Sequence, residues 1–253
     1  MTGQAKALAD ALTTRGLECS VRFTSADGGH SGCFATSGRT TLAVAFQYKQ
    51  GGAVSALTIK ATGKGETAPA LQSLVATVGP VAFPADLEKL TGVLRQTWGG
   101  AMEGNWGKYE IVARGPKTVI NAERFGNQQI KVPVLHLDTT EPELAKDLTG
   151  DGYTCATDNE TCQRKPGLAL KFSGADTGIT YLVATGATSA QLSEDLLDRL
   201  HGSAVAPIQD WVSQHLDGKT HIAYVAGWRV DLEVIGKQLR LTLFNEEFFL
   251  LMT

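Results

Sequence analysis

The sequence predicts an α+β protein built by tandem duplication of a two-layer domain. Each copy should run helix, three antiparallel strands, helical pair, two strands. Two observations predict this. First, Leu8-Ala-Asp-Ala-Leu-Thr-Thr-Arg-Gly-Leu-Glu-Cys19 recurs without a gap as Leu144-Ala-Lys-Asp-Leu-Thr-Gly-Asp-Gly-Tyr-Thr-Cys155, with 6 of 12 positions identical. A spacing of 136 residues is too long for a solenoid unit and suits a small domain used twice. Second, the hydrophobic periodicities that follow each segment come in the same order. Short hairpin turns imply antiparallel pairing, and helices must cover one face of such a sheet. The expected domains are residues 1–128 and 129–253, with 129–140 as a connector.

In the first copy, Gln4–Thr14 places Ala5, Leu8, Ala9 and Leu12 at helical spacing, and Arg15-Gly16 stops it. Leu17–Phe23 reads as a strand, Ser25–Gly32 as a glycine-rich loop, and Cys33–Ala35 as extended. Thr40–Tyr48 alternates Leu42, Val44, Phe46 and Tyr48 at period two, Gly51-Gly52 turns, and Val54–Ala61 follows. Ala68–Val78 is a helix expected to break at Gly79-Pro80. Pro84–Trp98 is a second, with Leu87, Leu90, Leu94 and Trp98 on one stripe. A glycine-rich loop over 99–108 reads as an insertion, before the hairpin Tyr109–Arg114 and Lys117–Phe125.

The second copy repeats this order with Glu141–Thr149, a short Cys155/Cys162 hairpin, Leu168–Phe172, and Gly178–Thr185. Helices over Ala190–His201 and Pro207–Leu216 come next, then the hairpin Gly227–Val234 and Gln238–Phe244. Glu246–Met252 is a hydrophobic tail. Within the connector, apolar Ile130–Leu137 reads as an extended stretch lying on one domain.

The composition is 43% hydrophobic and 19% charged, which fits a folded chain rather than a disordered one. No run of 18 apolar residues spans a membrane, and the N-terminus has no signal-peptide pattern. The net charge of −3 divides unevenly: residues 1–136 carry 14 Lys+Arg against 9 Asp+Glu, and residues 137–253 carry 9 against 17. Opposite charges on two copies could attract different partners or each other; scattered surface charge is the plainer reading. The basic half has no Lys/Arg run, so no nucleic acid is expected as a partner.

Each copy holds two cysteines. Cys155 and Cys162 are equidistant from the turn Thr157-Asp158-Asn159-Glu160, so their side chains share a face. Cys19 and Cys33 sit on equivalent arms. This favours the disulfides Cys19–Cys33 and Cys155–Cys162 over reduced thiols or a four-thiolate zinc site, which usually brings a short Cys-x2–4-Cys pair. Disulfides imply an extracytoplasmic or cell-envelope location, with a signal or membrane anchor upstream of a trimmed start; a cytoplasmic chain with reduced thiols is the alternative.

No phosphate loop, dinucleotide glycine signature, His-Glu-x-x-His or Gly-x-Ser-x-Gly is present. His215 and His221 read as surface histidines, and no metal or cofactor is expected. Asp151, Asp158, Asn159 and Glu160 read as turn residues. His30 stands beside Asp27, Ser25 and Ser31, but a flexible loop is a poor frame for catalysis. The expected binding residues are Asp27 and His30 in that loop, and Trp106 in the polar stretch Gly104-Asn-Trp-Gly107. The functional expectation is a non-catalytic binding or interaction protein with a protein or small-ligand partner. The alternative is a hydrolase or transferase with a site assembled between the copies.

Overall fold

In the computed structural model the chain divides into two compact units, Met1–Val132 and residues 133–245. The structure describes residues 1–64, 67–96, 99–114, 116–158, 160–164 and 167–245. The expected Trp98 stripe position, Asn159 and the tail Glu246–Met252 lie outside them.

The first unit opens with helix α1 (Gly3–Thr14), then strands β1 (Glu18–Ser25), β2 (Gly28–Ser37), β3 (Thr40–Lys49) and β4 (Val54–Gly63). Helix α2 (Thr67–Ala82), a 3-10 turn at Pro84–Asp86 and α3 (Leu87–Gln96) follow. Strands β5 (Gly99–Glu103), β6 (Gly107–Arg114) and β7 (Lys117–Arg124) close the unit. The second unit has α4 (Glu141–Gly150), β8 (Thr154–Cys155), β9 (Thr161–Gln163), β10 (Ala169–Ala175) and β11 (Gly178–Ala187). A π-type segment Gln191–Leu196, a 3-10 turn Leu197–Arg199 and α5 (Val205–Gln214) follow. The unit ends in β12 (His221–Val225), β13 (Trp228–Ile235) and β14 (Gln238–Phe244).

Each unit is one seven-stranded antiparallel sheet, ordered β1-β2-β3-β4-β7-β6-β5 in the first and β8-β9-β10-β11-β14-β13-β12 in the second. The orders are identical position by position, as duplication demands. The register repeats too: Val44 opposes Cys33 and Ile59, as Leu170 opposes Cys162 and Ala184. Even the helix end is copied. Gly16 and Gly152 adopt φ of +87° and +83°, and the next N–H bonds back five residues, from Leu17 to Leu12 O and from Tyr153 to Leu148 O, each 3.0 Å. Only glycine takes this left-handed cap at little cost, which is why both repeats keep it.

One face of each sheet carries the core. In the first unit Val44, Phe46, Leu57, Ile59 and Ile120 meet Leu8 and Leu12 of α1 and Leu71, Leu74 and Val78 of α2. In the second, Leu170, Phe172, Leu182 and Leu241 meet Leu144 and Leu148 of α4 and Ile208 and Val212 of α5. Among the described residues no helix is long and apolar enough to cross a membrane.

Several expectations are corrected. Among the described residues each unit has four strands before the helical pair and three after, not three and two. The edge strands β5 and β12 escaped because Gly99-Gly100 and the polar start of His221–Val225 lack a clear alternation. Residues 99–108 are no insertion: Met102↔Tyr109↔Ala122 matches Ala223↔Val230↔Leu243 without a slip. Pro80 does not end α2. The helix runs two residues past it, to Ala82, and Gly79 allows α3 close, since a Cβ there would come 2.4 Å from Leu87 Cδ1. The Ser25–Gly32 loop is also absent. β2 begins at Gly28, leaving a turn at residues 26 and 27. Its glycines are there for crowding: a Cβ on Gly28 would lie 2.0 Å from Tyr48 O, and one on Gly29 would lie 2.5 Å from Phe23 O. The connector is not held by one domain. Its beginning is tied to the first unit through Ile130 and its end to the second, where Leu137 N–H donates to Ile179 O (2.8 Å).

Candidate functional site

Both disulfides form as expected. Cys19 opposes Cys33 across β1 and β2, and Cys155 opposes Cys162 across β8 and β9, each pair with Cα atoms 4.0 Å apart. Such closeness belongs to antiparallel positions between the ladder bonds. In each copy the first sulfur also rests against its helix, with Cys19 Sγ 3.5 Å from Ala9 O and Cys155 Sγ 3.5 Å from Ala145 O.

The three expected binding residues do not converge. Asp27 is exposed at the β1–β2 turn, where its N–H donates to Ser25 Oγ (3.2 Å). His30 is 1% exposed inside the sheet, paired with Phe23 and Gln47. Its Nε2 is 3.1 Å from Ile130 O, and Gln47 Oε1 accepts the N–H of the same Ile130 at 2.7 Å. Desolvation by burial lowers its pKa to about 4, so the ring is neutral near pH 7. His30 thus clamps the connector and does not reach the surface.

Trp106 is half-buried, with ring centroids 6.0 Å from both Phe83 and Tyr109. Beneath it is a group the sequence reading missed. Asp86, 1% exposed, accepts the N–H groups of Asn105 (2.5 Å) and Trp106 (2.8 Å) and the Tyr109 hydroxyl (2.8 Å). Burial alone would raise its pKa. The backbone N–H groups of Asn105, Trp106 and Gly107 and the Tyr109 hydroxyl outweigh burial and hold the carboxyl below its usual range. Burial, and then the hydrogen bond to the same carboxylate, push the Tyr109 phenol up. Asp86 is the internal acceptor that shapes the β5–β6 turn. Its signal was faint, since Phe-Pro-Ala-Asp resembles any helix start.

In the second unit the structure brings together two histidines that the sequence reads as surface residues flanking a loop. Trp211 on α5 and His215, the C-cap of that helix, lie one turn apart and stack at 4.4 Å, with planes 25° apart. His221, the first residue of β12, sets its ring 4.6 Å from that of His215. His215 Nδ1 is 2.7 Å from Trp211 O, and His221 Nε2 is 2.8 Å from Asp217 Oδ1. The bond from His221, then the N–H of Lys219, hold the Asp217 carboxyl below its usual range. His221 is nearly buried, its side chain 12% exposed. The loop that joins α5 to β12 makes this cluster, and periodicity could not show it.

The expected turn residues act locally. Asp158 Oδ1 accepts the N–H of Glu160 (3.0 Å), and Asp151, at the C-terminal end of α4, pairs with Arg199. At the start of α4, Glu143 accepts the N–H (2.9 Å) and hydroxyl (2.8 Å) of Thr140, which lowers its pKa. No protein-family model matches the chain, and no curated protein is significantly similar to it in sequence.

Proposed function

We propose that this chain is a non-catalytic binding protein of an oxidising, extracytoplasmic compartment. The observation that carries this reading is how its perturbed ionisable groups are used. His30 is engaged by Ile130, Asp86 by the β5–β6 turn, Glu143 by the start of α4 and Asp217 by His221 and Lys219. Catalytic sites concentrate shifted groups in a cleft; here each is engaged in holding local structure. The compartment follows from two disulfides, which persist where thiols are not kept reduced. Of the expected contact residues, Asp27 at its turn and the exposed part of Trp106 remain for a partner.

The test is affinity capture from the native source at low and high salt, beside an activity screen on ester, glycoside and phosphate substrates. A partner that weakens with salt, and weakens further with Asp27→Ala, is the expected result, because exposed charges are screened beyond about 8 Å at physiological ionic strength. Robust turnover without a stable partner overturns the reading.

A further inference from the structure

We infer that His215 and His221 form a binding site for a late first-row divalent metal, of the zinc, nickel or copper class, within the second unit. The inference stands apart from the binding reading above.

Metal-ligating histidines donate their second ring nitrogen to a carboxylate or backbone carbonyl, which fixes the tautomer and the ring orientation. Both arrangements are present. The Trp211 carbonyl takes Nδ1–H of His215, which leaves Nε2 to coordinate. The Asp217 carboxylate takes Nε2–H of His221, so coordination falls to Nδ1. A metal there replaces whatever contact that nitrogen makes in the metal-free chain.

One ring nitrogen of His215 and one of His221 lie within 4.8 Å of each other. Two nitrogens on one ion, at about 2.0–2.1 Å each, stand no more than about 4 Å apart, a difference that a small side-chain rotation supplies. The rings are also held before any ion arrives: His215 by its stack on Trp211, His221 by its place at the head of β12. Pre-set ligands lower the ordering cost of binding. Imidazole donors select zinc, nickel and copper over magnesium or calcium, which need oxygen.

The stack gives the test its signal. Copper(II) or nickel(II) at His215 sits beside the Trp211 indole and should quench its fluorescence saturably. Zinc should compete and restore the emission. Isothermal titration with zinc should give one site, and magnesium none. His215→Gln and His221→Gln should each weaken binding at least about tenfold, and Asp217→Asn by about tenfold, the usual effect of losing an outer partner. Trp211→Phe should abolish the quench while zinc still binds, and His136→Gln should change nothing. No saturable zinc or copper binding by the unaltered protein overturns the inference. So does binding that the His215 and His221 variants, checked for intact circular dichroism, leave unchanged.

Discussion

Burial of His30 ties the stability of the first unit to pH. The unfolded chain takes up this proton near pH 6.5, and the folded chain near 4, because burial disfavours the charged ring. Between those values the unfolded state binds more protons. The contribution is therefore fully present above about pH 6.5, falls as pH drops, and is gone by about 4. A shift of this size is worth about 3 kcal/mol. Denaturant unfolding of the protein at pH 7 and pH 4.5 should show the loss, and His30→Gln should flatten the slope. An equal slope in the variant would assign the pH dependence to other groups. Asp86 makes a second residue-level prediction. Asp86→Ala removes the acceptor of two part-buried backbone N–H groups and of the buried Tyr109 hydroxyl, at a cost of roughly 3 kcal/mol. Trp106 emission should shift to the red as the β5–β6 turn loosens. Asp86→Asn, which keeps acceptor capacity, should lose less. Neither group was legible as a structural anchor. His30 was hidden by glycines that signal a turn in sequence but serve close backbone approach here, and Asp86 by lying about twenty residues before its partners.

At the scale of elements, each disulfide closes an edge hairpin against its own helix. The loops differ, with sequence separations of 14 and 7. On the chain-entropy model these closures are worth roughly 3 and 2.5 kcal/mol. Replacing Cys19 and Cys33 together by alanine should therefore cost the first unit slightly more than replacing Cys155 and Cys162 costs the second. Thermal unfolding of the two double variants, each beside the parent, checks the order. Equal melting temperatures in all three would show that neither bridge constrains the unfolded chain. The pairing was readable because a strand has period two: cysteines equidistant from a turn must share a face. The helices before α5 were less readable. Apolar spacing predicts one regular helix over 190–201, whereas the chain makes a π-type segment and then a 3-10 turn. The alternative turns keep Leu192, Leu196 and Leu197 all buried in the core. Strands β5 and β12 were unreadable for a different reason: edge strands are half-solvated, so their alternation is weak.

The whole molecule is a duplicated unit whose two copies have diverged in charge and in edge length while keeping one topology. The duplication and the α+β class were legible because the repeated helix, glycine cap and cysteine mark where each copy begins, and the central strands alternate behind them; the edge strands β5 and β12 were not. What the copies do was not legible either, since every cluster of interest is assembled by residues from different elements. Each unit has its own contiguous core, sheet and disulfide. Domains of roughly 110–130 residues bury enough surface to fold alone. Residues 1–132 and 133–253, made separately under oxidising conditions, should then each unfold cooperatively. The first piece should carry the loss of stability between pH 6.5 and 4, since His30 and its partners Gln47 and Ile130 all lie in it. The second should lack that loss and should retain the zinc-competed quenching of Trp211, since Trp211, His215 and His221 all lie in it. Circular dichroism melts and denaturant curves on both pieces read the outcome. A piece that is unfolded or melts without cooperativity would mean that its core, complete as a contact cluster, does not offset the conformational entropy of its own chain.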